Sequence, residues 1–311
     1  MWAVEAREAP NNLRTTGVRG AFARYVRAMR FSFLGTGTSA GIPMIACDCA
    51  VCTSPDPRDK RLRTSASLEF VDGAGRERVI LLDAGPDLRV QAMRQGLRRC
   101  DAILLTHNHV DHCFGLDEVR RFNAAQRTAI DLFADEHTMQ SVRRIYTHIL
   151  DREKNVNDSF VATLIPFTIS QGDIDAGRAI SLFGLHVTPL HLLHGKLPIL
   201  GYRFDVAPGA PESLRDAAAR VLPLAYCTDV SGIPPHTFGR LRGLRTLVLD
   251  CLRERAHPTH LRLDDAIGLA QQVDAEATYF VHMSHELAHE ATQAMLPERV
   301  QLAHDCLSLP A

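Results

Sequence analysis

At 311 residues, with 46% hydrophobic and 23% charged side chains, the chain is long enough to bury one large core or two small ones. Its 35 basic and 36 acidic residues give a formal net charge of −1, which excludes a global field drawing it onto nucleic acid or an anionic membrane. No run approaches the roughly 20 apolar residues of a membrane helix, and the first thirty residues hold no continuous apolar leader segment, so a cytoplasmic protein with no membrane partner is expected.

Residues 1–28 lack strand alternation and include PNNLRTTGVRG, so they are expected to be a disordered extension. Met29, an alternative start of translation to Met1, opens MRFSFLGTGTSAGIP, a short alternating strand and a glycine-rich turn. From there a single domain, 29–311, is expected. SASLEFV and RVILLDAG, joined through DGAGRE, carry a hairpin signature, and DLRVQAMRQGL is helix-like. DAILLTH is apolar at nearly every position, as in a strand covered on both faces.

Between 117 and 185 the pattern predicts a helix at DEVRRFNAAQ, a strand at AIDLFAD, a helix at EHTMQSVRRIYTHIL, a mobile polar loop at DREKNVNDS and a strand near ATLIPFTI. The β-rich runs LHVTPLHLLH, LGYRFDV, LAYCTDV and LRTLVLDC follow, then a helix at LDDAIGLAQQV, a strand at ATYFVHMSH, and a closing helix and strand. Two sets of strands with helices outside predict an α/β fold, an αβ/βα sandwich.

The densest chemistry is LLTHNHVDHC at 104–113. On a strand His107 and His109 point the same way, and Asp111 and His112 can swing toward them where a helix begins. Imidazole and carboxylate suit zinc, iron or manganese, and their mixture invites a pair of ions with open positions. His194, Asp229 and His282 each close an apolar run as His107 does, and one Asp229 carboxylate can span two ions about 3.5–4 Å apart. Asp83, ending RVILLD, is placed to orient a ligand histidine. His191 competes with His194, which is preferred because HGKLPILGY follows it directly; His137, His148, His186, His236, His289 and His304 read as surface or packing residues.

Three of the eight cysteines, Cys47, Cys49 and Cys52, crowd into CDCAVC, too close for disulfides among all three and suited to tetrahedral zinc with a histidine from elsewhere. Cysteines 100, 113, 227, 251 and 306 read as ordinary buried thiols.

His-x-His-x-Asp-His followed by a histidine, an aspartate and a final histidine resembles the metallo-β-lactamase superfamily over about residues 30–307. The resemblance implies a four-layer αβ/βα sandwich in which His107, His109 and His194 hold one divalent ion, Asp111, His112 and His282 a second, and Asp229 bridges them. GTGTSAGIP with CDCAVC, THNHVDH, HGKLPILGY, TDVSGIP, LDC and HMSH resemble more narrowly the phosphoribosyl 1,2-cyclic phosphate phosphodiesterase family of the carbon-phosphorus lyase pathway. That family implies that His285 completes a structural zinc site with the three cysteines, and that a histidine after the DC strand, His260 rather than His257, acts as general acid or binds phosphate.

The implied activity is a metal-dependent phosphodiesterase using a metal-bridging hydroxide, with zinc or manganese, or alternatively iron, in the two catalytic positions. Asp111 would accept a proton from the attacking water and His260 protonate the leaving alkoxide. The implied partner is a small phosphodiester, with no nucleic acid, and the family implies a homodimer. The segment 117–185 looks longer than that family needs and is expected to cap the site, carrying Arg120, Arg121, Arg143 or Arg144 toward an anion, or to form a dimer surface. Competing functions are an RNA 3′-processing nuclease, an oxidative iron enzyme resembling the pyrroloquinoline quinone biosynthesis component, and a non-catalytic metal-dependent binding protein.

Overall fold

Strand alternation sorts the apolar residues of this chain into three cores. The structure, a computed structural model, describes residues 28–156 and 159–310. The extension expected at 1–28 therefore lies outside the described residues but for Ala28, and so do two residues of the expected mobile loop, Asn157 and Asp158. No helix among the described residues is long and apolar enough to cross a membrane.

The first sheet takes β1 (Arg30–Gly35), β2 (Ser65–Val71), β3 (Glu77–Leu82), β4 (Ala102–Leu104), β5 (Ile130–Asp135) and β6 (Leu164–Ile169). The second takes β7 (Ile180–Leu182), β8 (Leu185–His194), β9 (Leu197–Val206), β10 (Leu224–Cys227), β11 (Thr246–Asp250), β12 (Ala277–Val281) and β13 (Val300–Leu302), before β14 (Ser308–Leu309) returns beside β1. The orders are β14-β1-β2-β3-β4-β5-β6 and β13-β12-β11-β10-β9-β8-β7. Both sheets follow one plan, antiparallel from one edge to β3 or β10 and parallel beyond.

Ile80, Leu82, Leu104 and Phe133 face a core between the sheets, where they meet Val187, Tyr202, Phe204, Val248 and Val281. The alternate residues Val79, Leu81, Ile103 and Leu132 face outward beneath Leu88, Phe122, Met139 and Val142 of the helices on that side. Leu247, Leu249 and Phe280 do the same in the second sheet beneath the helix Leu263–Val273, which buries Leu263, Ala266, Ala270 and Val273 at helical spacing. Helices on both outer faces make the expected four-layer αβ/βα sandwich.

The elements differ from the sequence pattern in a few places. The strand read at DAILLTH is regular for only three residues, the remainder running on as an extended loop toward the site. The helix read at EHTMQSVRRIYTHIL breaks at Tyr146, whose hydroxyl is drawn in to donate to the Cys113 carbonyl at 3.1 Å. The short helices Gln171–Ala176 and Glu212–Ala218 carry too few residues for a periodic signal and went unread. Within 117–185, β5 and β6 extend the first sheet, and the helices Arg120–Gln126 and Glu136–Ile145 cover its outer face.

The ends of β3, β4, β10, β11 and β12 bring Asp83, His107, Asp229, Asp250 and His282 toward one rim, the usual ligand position in parallel sheets. One buried side chain ties the loop after β12 to the rest. The Arg61 guanidinium, with no exposed side-chain surface, donates to the carbonyls of Ser284 at 2.9 Å and Leu287 at 2.6 Å and pairs with Asp59 at 3.2 Å. Asp59 also accepts from the His289 amide at 2.9 Å. Arg61→Ala would strand two carbonyls and a buried carboxylate, so unfolding in urea is expected to show a loss of about 3–5 kcal/mol. A loss under about 1 kcal/mol, the scale of a single ordinary hydrogen bond, would show the tie to be dispensable.

Candidate metal centre

Asp83 and His282 directly follow a strand and Asp229 lies one residue beyond one, and each is left-handed, with φ of 62°, 61° and 60° in that order. Such backbone costs a non-glycine residue about 1–3 kcal/mol and persists only where its surroundings enforce it. Each turn breaks the strand's alternation at its last step, freeing the side chain to lean over the rim instead of into a sheet face. The glycines at 85 and 115 allow the Asp83 loop to close on the short helix Val110–Cys113: a Cβ at Gly85 would collide with the Asp111 carbonyl, and one at Gly115 with the Gly85 carbonyl. The Ala84 amide accordingly donates to the His112 carbonyl at 2.7 Å.

The residues singled out in the sequence fall into three groups. One ligand atom from each of His107, His109 and His194 lies within 4.8 Å of the others, and so do those of Asp111, His112, Asp229 and His282. The Asp229 carboxylate adjoins both groups, with Oδ1 4.0 Å from His107 Nε2 and 3.2 Å from His282 Nε2, and Oδ2 3.3 Å from His112 Nε2. Asp111 Oδ2 lies 3.2 Å from His112 Nε2 and 3.7 Å from His282 Nε2. Despite these distances, Nε2 of His107, His112 and His282 is buried without an aligned hydrogen-bond partner. Buried polar atoms are seldom left so, and oxygen and imidazole donors facing a common point are the set that divalent ions take.

The opposite edges of the His107, His112 and His194 rings are held by the protein. His112 Nδ1 is 2.8 Å from Asp83 Oδ2, and Asp83 is itself held by the Thr106 amide at 2.8 Å and hydroxyl at 2.9 Å. The same hydroxyl lies 2.9 Å from His107 Nδ1, while His194 Nδ1 is 2.9 Å from the carbonyls of both Asp229 and Thr259. These contacts orient Nε2 of each ring toward the common point.

Sequence reasoning passed over Asp250. It is fully buried at the end of β11, accepts from the amides of Asp229 at 3.1 Å and Leu261 at 3.0 Å, and lies 3.0 Å from His260 Nδ1. Its Oδ1 is also 3.7 Å from His282 Nδ1, and the His260 ring stacks on His282 with centroids 4.6 Å apart. The structure thus brings His260, and one ring nitrogen of it, beside His194 and Asp229. His257 lies farther out, its ring 5.1 Å from that of His260 and its Nδ1 engaged by the Thr259 amide. The signal for Asp250 was present, since TLVLD ends an apolar run on an acid just as RVILLD does.

Electrostatically the centre draws in cations. Burial opposes a charge on His112, but the carboxylates of Asp229, Asp83 and Asp111 outweigh it and raise its pKa well above the ordinary value. His282 is raised in the same way, against burial, by Asp229 and Asp111. His107, with burial the larger influence and His112 beside it, is pushed well below the ordinary value.

The cysteine loop forms a separate cluster. His285 Nδ1 lies 3.2 Å from Cys47 Sγ, 3.4 Å from Cys49 Sγ and 3.8 Å from Cys52 Sγ. The Cys52 amide beside it lowers the Cys49 thiol to about 6, whereas burial pushes Cys52 up to about 11. Three thiols and an imidazole nitrogen around one point fit a closed tetrahedral site. Cysteines 100, 113, 227 and 251 are buried in the cores as expected; Cys306 is exposed, not buried, because it sits on the turn between β13 and β14.

Comparison with known proteins gives consistent matches. A family profile described as the beta-lactamase superfamily domain matches residues 78–283. The crystal structure of a diphosphatase from the PhnP family is 37% identical with a TM-score of 0.76, covering 90% of this chain and 96% of that one. An octanoyltransferase of Porphyromonas gingivalis is 32% identical over 281 residues, covering 90% of this chain and 51% of that one, so the chain spans about half the length of this relative. Coenzyme PQQ synthesis protein B of Methylobacterium nodulans is 28% identical over 242 residues, covering 71% of this chain and 72% of that one.

The raised pKa values of His112 and His282 fix the sign of a proton linkage. Both rings are shifted toward the protonated form in the metal-free chain, and an ion binding at Nε2 competes with that proton, so affinity rises with pH, by at most about tenfold per unit for each proton displaced. Calorimetric titration of the metal-free protein with zinc at pH 7, in two buffers of different ionisation enthalpy, is expected to give different heats. Equal heats would contradict the assignment of protons to these rings.

Proposed function

The chain belongs to the metallo-β-lactamase superfamily of hydrolases and is related to its PhnP family, and from that premise we propose that it is a phosphoric diester hydrolase acting on a small cyclic or linear phosphodiester. The observation that carries this function is the convergence of buried, unpartnered Nε2 atoms of His107, His112 and His282 on the carboxylates of Asp111 and Asp229.

His107, His109 and His194 would hold one divalent ion, Asp111, His112 and His282 the other, and Asp229 both. Cys47, Cys49, Cys52 and His285 would hold a structural zinc. The chemistry that ions held there, zinc or manganese or alternatively iron, would supply is a water acidic enough to attack at neutral pH and positive charge against that growing on the phosphoryl oxygens.

The protein's own groups do the rest. Asp111, on the first turn after His109, takes a proton from the attacking water. Asp250 engages His260 Nδ1 at 3.0 Å, which leaves Nε2 of that ring free to face substrate and protonate the departing alkoxide. Two fixed amides hold Asp250, so the imidazole is oriented before substrate arrives. Diphosphate hydrolysis, the activity named for the PhnP-family relative, is the neighbouring case, since it too breaks a bridging P–O bond of a substituted phosphoryl group. Kinship with coenzyme PQQ synthesis protein B favours as a second function the oxidative, iron-dependent one.

Elemental analysis and hydrolysis of a cyclic diester, a linear diester and a diphosphate test these assignments together. The wild type is expected to hold about three ions per chain, the sum of a two-metal centre and one structural zinc, and to cleave at least one substrate; Asp229→Ala should lose catalytic ions and turnover while keeping its zinc. One zinc and no turnover with any added metal would leave a binding protein, and dependence on iron and dioxygen would favour the oxidative function.

Asp250→Asn separates positioning from metal binding. Metal content should hold, while kcat falls about 10²-fold, within the usual contribution of a general acid, and KM changes little. The loss should be smallest on substrates with an acidic leaving group such as p-nitrophenol, which needs no proton. An equal loss on all leaving groups would assign Asp250 a merely structural role.

A further inference from the structure

A cavity of about 260 Å³ opens beside the metal centre between the ends of β5 and β6 and the hairpin of β8 and β9. Its walls are hydrogen-bonded to the metal-binding loop. The Leu200 amide donates to the Thr106 carbonyl at 2.9 Å, and the Asn108 side chain reaches His137 Nε2 at 3.3 Å and the Ser141 hydroxyl at 2.9 Å. Thr106 and Asn108 flank His107, and His191, which lines the cavity, precedes His194 by three residues.

The hydrogen-bonding capacity left over in this cavity is lopsided. Gln140 Nε2 donates to Glu136 Oε1 at 2.8 Å and Gln171 Nε2 to Asp175 Oδ1 at 2.8 Å, which leaves each amide one N–H, while Asp135 Oδ1 caps the helix Glu136–Ile145 through the Thr138 amide. The capacity left on these lining side chains is therefore the second oxygen of Asp135 and of Glu136 and the amide oxygens of Gln140 and Gln171, four acceptors, two of them charged, against one remaining N–H on each glutamine. His191 adds a buried Nδ1 with no partner. No lysine or arginine lines the cavity, and among the described residues neither carboxylate has an ion-pair partner there. Ile169, Ile174 and Pro198 supply an apolar floor.

We propose that this cavity receives the part of the substrate that the hydrolase leaves unattacked, and that it selects a small group rich in hydrogen-bond donors, bearing hydroxyls or an ammonium, against one carrying a second phosphate. The proposal rests on the phosphodiester reading of the adjoining centre. A donor-rich group answers the unpaired acceptors, whereas a second phosphate would meet two carboxylates with no countercharge. The volume, just below the about 300–1,000 Å³ of pockets for drug-sized ligands, suits a group smaller than such a ligand.

The test uses the metal-loaded full chain and four methyl phosphodiesters whose second alcohol is methanol, glycerol, ethanolamine or glycerol 3-phosphate, followed by phosphorus NMR. The glycerol or ethanolamine diester should exceed dimethyl phosphate in kcat/KM by about tenfold or more, as expected when a site built to hydrogen-bond a substrate group finds it, and the phosphorylated one should fall to its level or below. Whichever leads tells whether hydroxyls or an ammonium are the donors. Gln171→Leu should erase the glycerol advantage without touching dimethyl phosphate, and Glu136→Gln should narrow the penalty on the phosphorylated substrate. Preference for the phosphorylated diester, or equal rates on all four, would overturn the proposal. The His191 ring resonances, followed during titration with the same four compounds, give a readout free of turnover. If nothing is hydrolysed, the phosphodiester function fails, while a His191 shift confined to the donor-rich compounds still supports the cavity's selectivity and a shift with none of them overturns it.

Discussion

Four carboxylates buried around one point, Asp83, Asp111, Asp229 and Asp250, are the constraint on which this structure depends. Anionic charge out of water is tolerated only with compensation. Asp83 and Asp250 obtain it from the chain itself, through the Thr106 hydroxyl, backbone amides and the inner nitrogens of His112 and His260. Asp111 and Asp229 are instead set against imidazole nitrogens without aligned partners. Protons on His112 and His282 can balance that charge in part, which is why those two rings are pulled toward the cationic form. Divalent ions balance it more completely, and the superfamily's metal dependence follows from the same accounting.

The two sheets explain how so many charged groups reach one place. Each sheet places its parallel strands so that their carboxyl ends open on the same rim, and the two rims face each other across the core. Asp83 and His107 come from the first sheet, and Asp229, Asp250 and His282 from the second, so neither half carries a complete site. Left-handed backbone at Asp83, Asp229 and His282 recurs at equivalent strand ends. Its cost is carried by the apolar packing below, where Leu82, Tyr226 and Val281 lie in the shared core.

What was legible in the sequence follows from which signals are local. HNHVDH declares itself because four ligands of two types fall within six residues, and His194, Asp229 and His282 because each interrupts an apolar run at its end. Alternation along β3, β4, β11 and β12 was likewise enough to place the layers. Asp250 carries the same strand-end signal but has no ligand motif around it, so its role emerged only when His260 and His282 were brought beside it. Arg61 was invisible for the opposite reason. It lies in PDPRDKRLR, which reads as a solvated charged run, and is buried only because carbonyls more than 220 residues away need its donors. The cavity at His191 is equally non-local, assembled from both sheets.

The same non-locality joins the cysteine cluster to the metal centre. His282 and His285 sit on one loop, so the position of one ring is coupled through three peptide units to the other. Arg61 fixes the carbonyl between them, at Ser284, from a segment that begins directly after the cysteine loop, and Lys60 returns to the Cys52 carbonyl at 3.1 Å. A loop carrying a left-handed residue at φ 61° would otherwise relax toward a commoner conformation. The cysteine cluster and Arg61 are thus tied to the loop that holds His282 turned inward against Asp229.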